Sequence, residues 1–322
     1  MTTYKGIKGF NIQTVSSDPP APFTGQVWYN STSATIKYSG GAIPATWATG
    51  NAMGTGREQI AGFGTQTAAV AAGGIPPVAT TENYNGTSWT NSGNMNQARG
   101  RFAGAGTQTA GLVFGGGPPG AGGFANTEKY DGSSWTNAND MGTARAFLAG
   151  AGTQTAGLAI GGRSSTVISS DLCEEFDGTN WTAGGTLNNG RRYIAGAGTQ
   201  TAGLAIGGAD AGLTGPPSSE EYNGSSWTTG GNMNSPKFAL AGCGTQTAAL
   251  AFGGRPGPVS NTEQYDGSSW TTTTALNTAR SYLGGAGTVA AGLAFGGNTP
   301  SKNETEEFTE GTAAGTRTVG TD

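Results

Sequence analysis

Residues 101–116 read RFAGAGTQTAGLVFGG, with small and larger residues alternating on either side of a polar Thr-Gln-Thr tip. Alternation of period two about a polar turn is the pattern of a β-hairpin. The same stretch recurs along the chain. Its Gly-Thr pair begins at Gly64, Gly106, Gly152, Gly198, Gly244 and Gly287, and ten residues later comes the second glycine of a doublet, at Gly74, Gly116, Gly162, Gly208, Gly254 and Gly297. Seventeen residues before each pair stands a tryptophan: Trp47, Trp89, Trp135, Trp181, Trp227 and Trp270, spaced by 42, 46, 46, 46 and 43. A fixed period of this length marks a repeat architecture.

A second hairpin follows each doublet, as in Tyr84-Asn85-Gly86-Thr87-Ser88-Trp89 and Tyr130-Asp131-Gly132-Ser133-Ser134-Trp135. Asn-Gly or Asp-Gly between aromatic-bearing strands is a strong hairpin signal, because the tight turn needs positive φ. Each repeat thus supplies four short antiparallel strands, the size of one propeller blade. Inner strands crowding a common axis need small residues, which the Ala-Gly-Ala-Gly runs provide; the larger apolar residues then fill the wedges farther out.

Gly-Gly, then Glu-x-Tyr-Asp/Asn-Gly, then Trp resembles the kelch motif over about Trp47 to Phe308, repeated six times. The resemblance implies propeller blades closed by pairing strands from the two chain ends. Trp47, with Thr35 to Tyr38 before it, resembles a second hairpin lacking a first, while the last repeat stops at Phe308 without a Trp. The expected fold is therefore an all-β, six-bladed propeller closed by N- and C-terminal strands. Seven blades remain the alternative, if Gly25 to Tyr38 and the C-terminal tail form an extra one. The expected divisions are an arm over 1–34, the propeller over 35–312 and a tail over 313–322.

Only 11% of residues are charged and the net charge is -4, against roughly 25% charged in ordinary globular domains. No run of Lys or Arg favours a nucleic-acid groove or an anionic membrane. No apolar stretch is long enough for a membrane span, and the first 20 residues lack the features of a secretory signal. Absence of histidine removes Ser-His and Cys-His catalysis and imidazole metal sites. Cys173 and Cys243 occupy different repeat positions, so they suggest neither a disulfide framework nor a metal pair. The expectation is no enzyme, cofactor or metal. A glycan-processing site would need a carboxylate pair off the repeat pattern, and Asp171 and Asp210 have no evident companion.

A cation stands seven residues before each Gly-Thr pair: Arg57, Arg99, Arg145, Arg191, Lys237 and Arg280. An acid stands two before each Tyr or Phe of the second hairpin: Glu82, Glu128, Glu174, Glu220, Glu263 and Glu306. A ring of charges around an anion is one reading. Six matched, repeat-locked pairs point instead to structural ion pairs, within a blade or between neighbours. The tip glutamines Gln66, Gln108, Gln154, Gln200 and Gln246, replaced by Val289 in the sixth repeat, read as turn caps, with a ligand-binding ring of amides as the alternative.

All length variation falls between the doublet and the next Tyr or Phe, over 10, 14, 14, 14, 11 and 11 residues. Equivalent loops emerge on one face, and irregular loops on a rigid scaffold make a binding surface. The candidate binding residues are Pro76, Pro77, Pro118, Pro119, Phe124, Arg163, Ile168, Leu213, Pro216, Arg255 and Lys302. Gly25 to Thr32, GQVWYNST, and the Thr-Gln-Thr-Ala-Gly repeats resemble segments of structural proteins of tailed bacteriophages, marine ones especially. That implies a virion component, a tail or capsid appendage assembled in the host cytoplasm and released by lysis. The N-terminal arm would dock other virion proteins, and the loops a host-surface protein or glycan. A homo-oligomer is compatible, as is a bacterial protein-interaction scaffold.

Overall fold

The computed structural model describes residues 12–20, 24–118, 122–215, 217–298 and 302–318. The chain divides into two compact units, one from Thr46 to Thr309 and one formed by the segments up to Ala45 and from Glu310. Among the described residues every regular element is a β-strand, and the strands form seven four-stranded sheets.

Six sheets make the larger unit. The first runs Ala61–Thr65, Ala68–Ala72, Thr81–Tyr84 and Trp89–Ser92, each strand antiparallel to the next. Four more follow the same order, beginning at Ala103–Thr107, Ala149–Gly152, Ala195–Gly198 and Ala241–Gly244. The sixth holds Gly284–Gly287, Gly292–Phe295 and Thr305–Thr309, and its fourth strand is Thr46–Gly50 from the other end of the unit. There Phe308 faces Trp47, the register in which Tyr84 faces Trp89 and Tyr265 faces Trp270. The sixth sheet thus takes strands from both ends of the larger unit.

The first strand of each sheet neighbours that of the next, and the sixth neighbours the first. Close approach explains the glycines. A Cβ on Gly62 would lie 2.6 Å from Gly285 O, and one on Gly196 2.5 Å from Gly150 O; any side chain there would push adjacent sheets apart. The second strands are buried except at the first residues Ala68 and Ala110, which are half-buried. Farther out, Tyr130, Tyr222 and Tyr265 stack on Trp135, Trp227 and Trp270 at 4.7, 4.8 and 4.8 Å between ring centroids. A buried indole must still satisfy its N–H. Trp135 Nε1 donates to Thr81 Oγ1, Trp181 to Thr127 Oγ1 and Trp47 to Thr262 Oγ1, in each case on the preceding sheet. The repeated tryptophan therefore closes the outer wedge between sheets.

The smaller unit has its own sheet, ordered Gln13–Val15, Val27–Asn30, Thr35–Gly40 and Gly315–Thr318, the first two strands parallel. Asp18 is its polar hub: it accepts from Trp28 Nε1 at 3.1 Å and Asn30 Nδ2 at 2.7 Å, and pairs with Lys37 Nζ at 2.8 Å. The Lys37 bond, then those from Asn30 and Trp28, hold the Asp18 carboxyl down at about 2. This sheet corrects the expected boundaries. Thr35–Gly40 pairs with Val27–Asn30 and Gly315–Thr318, so the larger unit starts at 46 and ends at 309 instead of 35 and 312. Backbone pairing outweighs the partial likeness of Thr35 to Tyr38 to a repeat strand.

Candidate functional site

The repeat-locked charges fix the chain beside the site. Each cation pairs with the acid of its own sheet: Arg57 Nη2 with Glu82 at 2.8 Å, Arg99 with Glu128 at 2.7 Å, Arg145 with Glu174 at 2.9 Å, and Arg191 and Arg280 with Glu220 and Glu306. Lys237 lies 3.2 Å from Glu263. All these cations are buried, and burial lowers the pKa of every one. The second Nη of each arginine donates to two backbone carbonyls, for Arg145 those of Gly161 at 2.7 Å and Leu172 at 2.6 Å. The other carboxylate oxygen accepts a backbone N–H from the strand-entry segment, such as Gly142 at 2.6 Å to Glu174. Buried charges persist only when paired and hydrogen-bonded like this. The pairs leave no face open to an anion and act as clamps on the chain entering each first strand.

Two residues beyond each cation the chain does something that the repeat motif does not announce. Gln59, Arg101, Phe147, Tyr193, Ala239 and Tyr282 all have φ between 53° and 65°, the left-handed region. Each donates its backbone N–H to the carbonyl of the equivalent residue one repeat back: Arg101 to Gln59 at 2.9 Å, Phe147 to Arg101 at 2.7 Å, Tyr193 to Phe147 at 2.9 Å, Ala239 to Tyr193 at 2.8 Å, Tyr282 to Ala239 at 2.8 Å and Gln59 to Tyr282 at 2.7 Å. These bonds form a ring of six amides. Left-handed geometry costs a non-glycine residue on the order of 1 kcal/mol. One ring hydrogen bond offsets each such cost.

The six side chains meet in a shallow cavity of about 80 Å³. Arg101 Nε donates to Gln59 Oε1 at 2.7 Å, and its guanidinium lies 4.9 Å from the centre of the Phe147 ring. Phe147 and Tyr193 are 4.2 Å apart, and Tyr193 and Tyr282 are 5.8 Å apart across the small Ala239. Arg192 and Arg255 stand over Tyr193 and Tyr282 at 5.2 and 5.9 Å. Burial raises the pKa of the Tyr282 phenol, helped by Tyr193 and Glu58 and opposed by Arg255 and Arg101, so this hydroxyl stays protonated. Gln59 and Arg101 thus make one side of the mouth polar, and Phe147, Tyr193 and Tyr282 make the aromatic side, with Arg192 and Arg255 over its rings.

The variable loops start at this mouth. The residue before five of the six ring members bridges the residue after a doublet: Glu58 with Ile75, Gly100 with Gly117, Ala146 with Arg163, Arg192 with Ala209 and Phe238 with Arg255. Pro76, Pro77, Ile168 and Leu213 are exposed on the loops. Pro118 is half-buried and its carbonyl accepts from Arg101 at 3.4 Å. Arg163 and Arg255 root beside Phe147 and Tyr282, and Lys302 pairs with Glu58 at 3.5 Å. Phe124 is turned back, its backbone bridging Arg145. Pro119 and Pro216 lie outside the described residues.

The glutamine tips are not turn caps. Gln108 Nε2 donates to Ala69 O at 3.0 Å and Tyr84 O at 2.7 Å, and Gln66, Gln154, Gln200 and Gln246 likewise reach two carbonyls of the preceding sheet. They staple sheets together because a long amide at a hairpin tip reaches farther than its own turn. Both cysteines are free, with burial pushing the thiols up to about 11 for Cys173 and about 12 for Cys243. No group of three or more Cys, Asp or Glu suited to a metal occurs among the described residues.

The mouth residues were missed in the sequence, yet a signal exists. They fall twelve after each tryptophan, inside a segment of fixed length, and read Gln, Arg, Phe, Tyr, Ala, Tyr between the repeated cation two residues before and the repeated apolar residue that follows. No family model matches the chain. No curated protein matches it. Among solved structures it is similar to the one titled "Structure of YjhT", with a TM-score of 0.67 and 12% identity over 83% of this chain and 99% of that one. That likeness carries the fold, a β-propeller, and no more.

Proposed function

We propose that the chain is a non-enzymatic binding protein, a six-bladed propeller closed by the strand of Trp47, that works as a bacteriophage virion component through its variable-loop face. The observation that carries the binding reading is the mouth: arginines and aromatic rings, the side chains most favoured at binding hot spots, gathered where six unlike loops begin. A pre-formed backbone ring holds them, which lowers the ordering cost of association. The kelch-like motifs and the likeness of Gly25 to Thr32 to phage structural proteins support the virion assignment. The sheet built by that segment is then the docking element toward other virion proteins. Carboxylates paired for acid–base work have no counterpart at the mouth, where Glu58 is engaged by Lys302, and this favours adhesion over catalysis.

The test has two arms. Purified virions are probed for the protein and its position imaged; absence from virions refutes the assignment to a particle. Fluorescently labelled protein is then bound to host cells and to separated virion proteins, beside a variant with the loop of residues 117–126 shortened to the length of residues 75–80. Unaltered binding by that variant and by Tyr193→Ala refutes the loop face as the binding surface.

A further inference from the structure

Resting on the binding reading above, we infer that the mouth seats an acidic side chain of a protein partner, with the partner's neighbouring apolar residues lying on the loops of the third and fourth repeats. The charges argue the first half. Of the twelve Lys and Arg residues between Thr46 and Thr309, six form the buried pairs and Lys129 lies against Gly178 O and the Phe176 ring. The remaining five, Arg101, Arg163, Arg192, Arg255 and Lys302, all stand at or beside the mouth. Against them stand Glu58, paired with Lys302, Asp210, which feels Arg192 and is engaged by Thr214, and the loop acids Asp171 and Glu304. Cations outnumber acids here although the whole chain is acidic. Arg101 gives its Nε to Gln59 Oε1 and one Nη to the Pro118 carbonyl at 3.4 Å, and a guanidinium carries five N–H donors. An incoming carboxylate offers them an acceptor, and guanidinium–carboxylate contacts are among the strongest hydrogen bonds.

The apolar surface argues the second half. Among the described residues of this unit the exposed large hydrophobic ones are Val167, Ile168, Leu172 and Leu213, all on the loops of the third and fourth repeats. Those loops adjoin, Ser169 Oγ donating to Ala209 O at 3.4 Å, on the side where Phe147 and Tyr193 make the aromatic half of the mouth. Exposed aliphatic side chains gain from burial under apolar residues, which a protein segment carries and a hydroxyl-covered sugar does not.

A library of random twelve-residue peptides is selected on the full chain and, separately, on Arg101→Gln. Wild type is expected to enrich peptides with Asp or Glu next to Leu, Ile or Val. A synthetic copy of one winner should lose affinity about tenfold with Arg101→Gln and about fivefold with the pair Ile168→Ser and Leu213→Ser, all variants melting as wild type does. Enrichment without acids, retention on Arg101→Gln, or no enrichment overturns the inference. So does competition by oligogalacturonate that Ile168→Ser and Leu213→Ser leave unchanged, which assigns the mouth to acidic glycans. Concentration-dependent dimerisation abolished by Arg101→Gln assigns it to a second copy of the chain. If cells or virion proteins bind through the loop face while no peptide is selected, this inference falls and the proposed function stands.

Discussion

Replacing Arg145 by Met removes one clamp while nearly keeping its volume. Arg145 is fully buried and makes three bonds, to Glu174 at 2.9 Å and to the carbonyls of Gly161 at 2.7 Å and Leu172 at 2.6 Å. Methionine makes none of them and leaves the Glu174 carboxylate buried with the N–H of Gly142 as its remaining polar contact. Removing one partner of a buried pair costs about 3–5 kcal/mol. In a unit of this size about 1 kcal/mol moves the melting temperature by roughly 2–4 °C, so the fall should be about 10 °C. Arg145→Lys should lose less, because Lys237 already serves the fifth repeat with its amine 3.2 Å from Glu263 and 3.5 Å from Asn261 O. Thermal melts followed by circular dichroism at neutral pH give the ranking wild type, Lys, Met. An unchanged melting point for Arg145→Met, or equal melting of Lys and Met, refutes the clamp.

The converse change, Lys237→Arg, should raise the melting point by a few degrees by adding a second donor arm, checked in the same melts. Val289→Gln should add the missing sixth staple toward Ala249 O and Tyr265 O, stabilising by about 1 kcal/mol; Gln154→Ala should cost a similar amount, both read from denaturant midpoints. Asp18 has a depressed pKa of about 2 in the folded chain, so its contribution is present above the ordinary carboxyl value near 4 and is lost as pH falls through about 2. The indole N–H resonance of Trp28 should therefore shift between pH 4 and 2 in the wild type and hold still in Asp18→Asn; no shift in the wild type removes Asp18 from its hub.

What could be read from residues alone was whatever lies within one repeat. The period of the tryptophans, the alternation in Arg101 to Gly116 and the Asn-Gly or Asp-Gly turns fix strands and hairpins, because those depend on neighbours a few residues apart. Matched columns of Arg and Glu pointed to ion pairs, and these join residues of the same sheet. The half-motif at Trp47 left a strand without its first hairpin, and that strand completes the sheet of Phe308. Contacts between repeats were another matter. Whether Gln108 caps its own turn or reaches Ala69 and Tyr84 depends on the angle and distance between adjacent sheets, which no spacing along the chain encodes. The left-handed ring from Gln59 to Tyr282 likewise exists only because six chain segments converge on one axis, and it is that convergence which turns scattered Arg, Phe and Tyr residues into a single mouth.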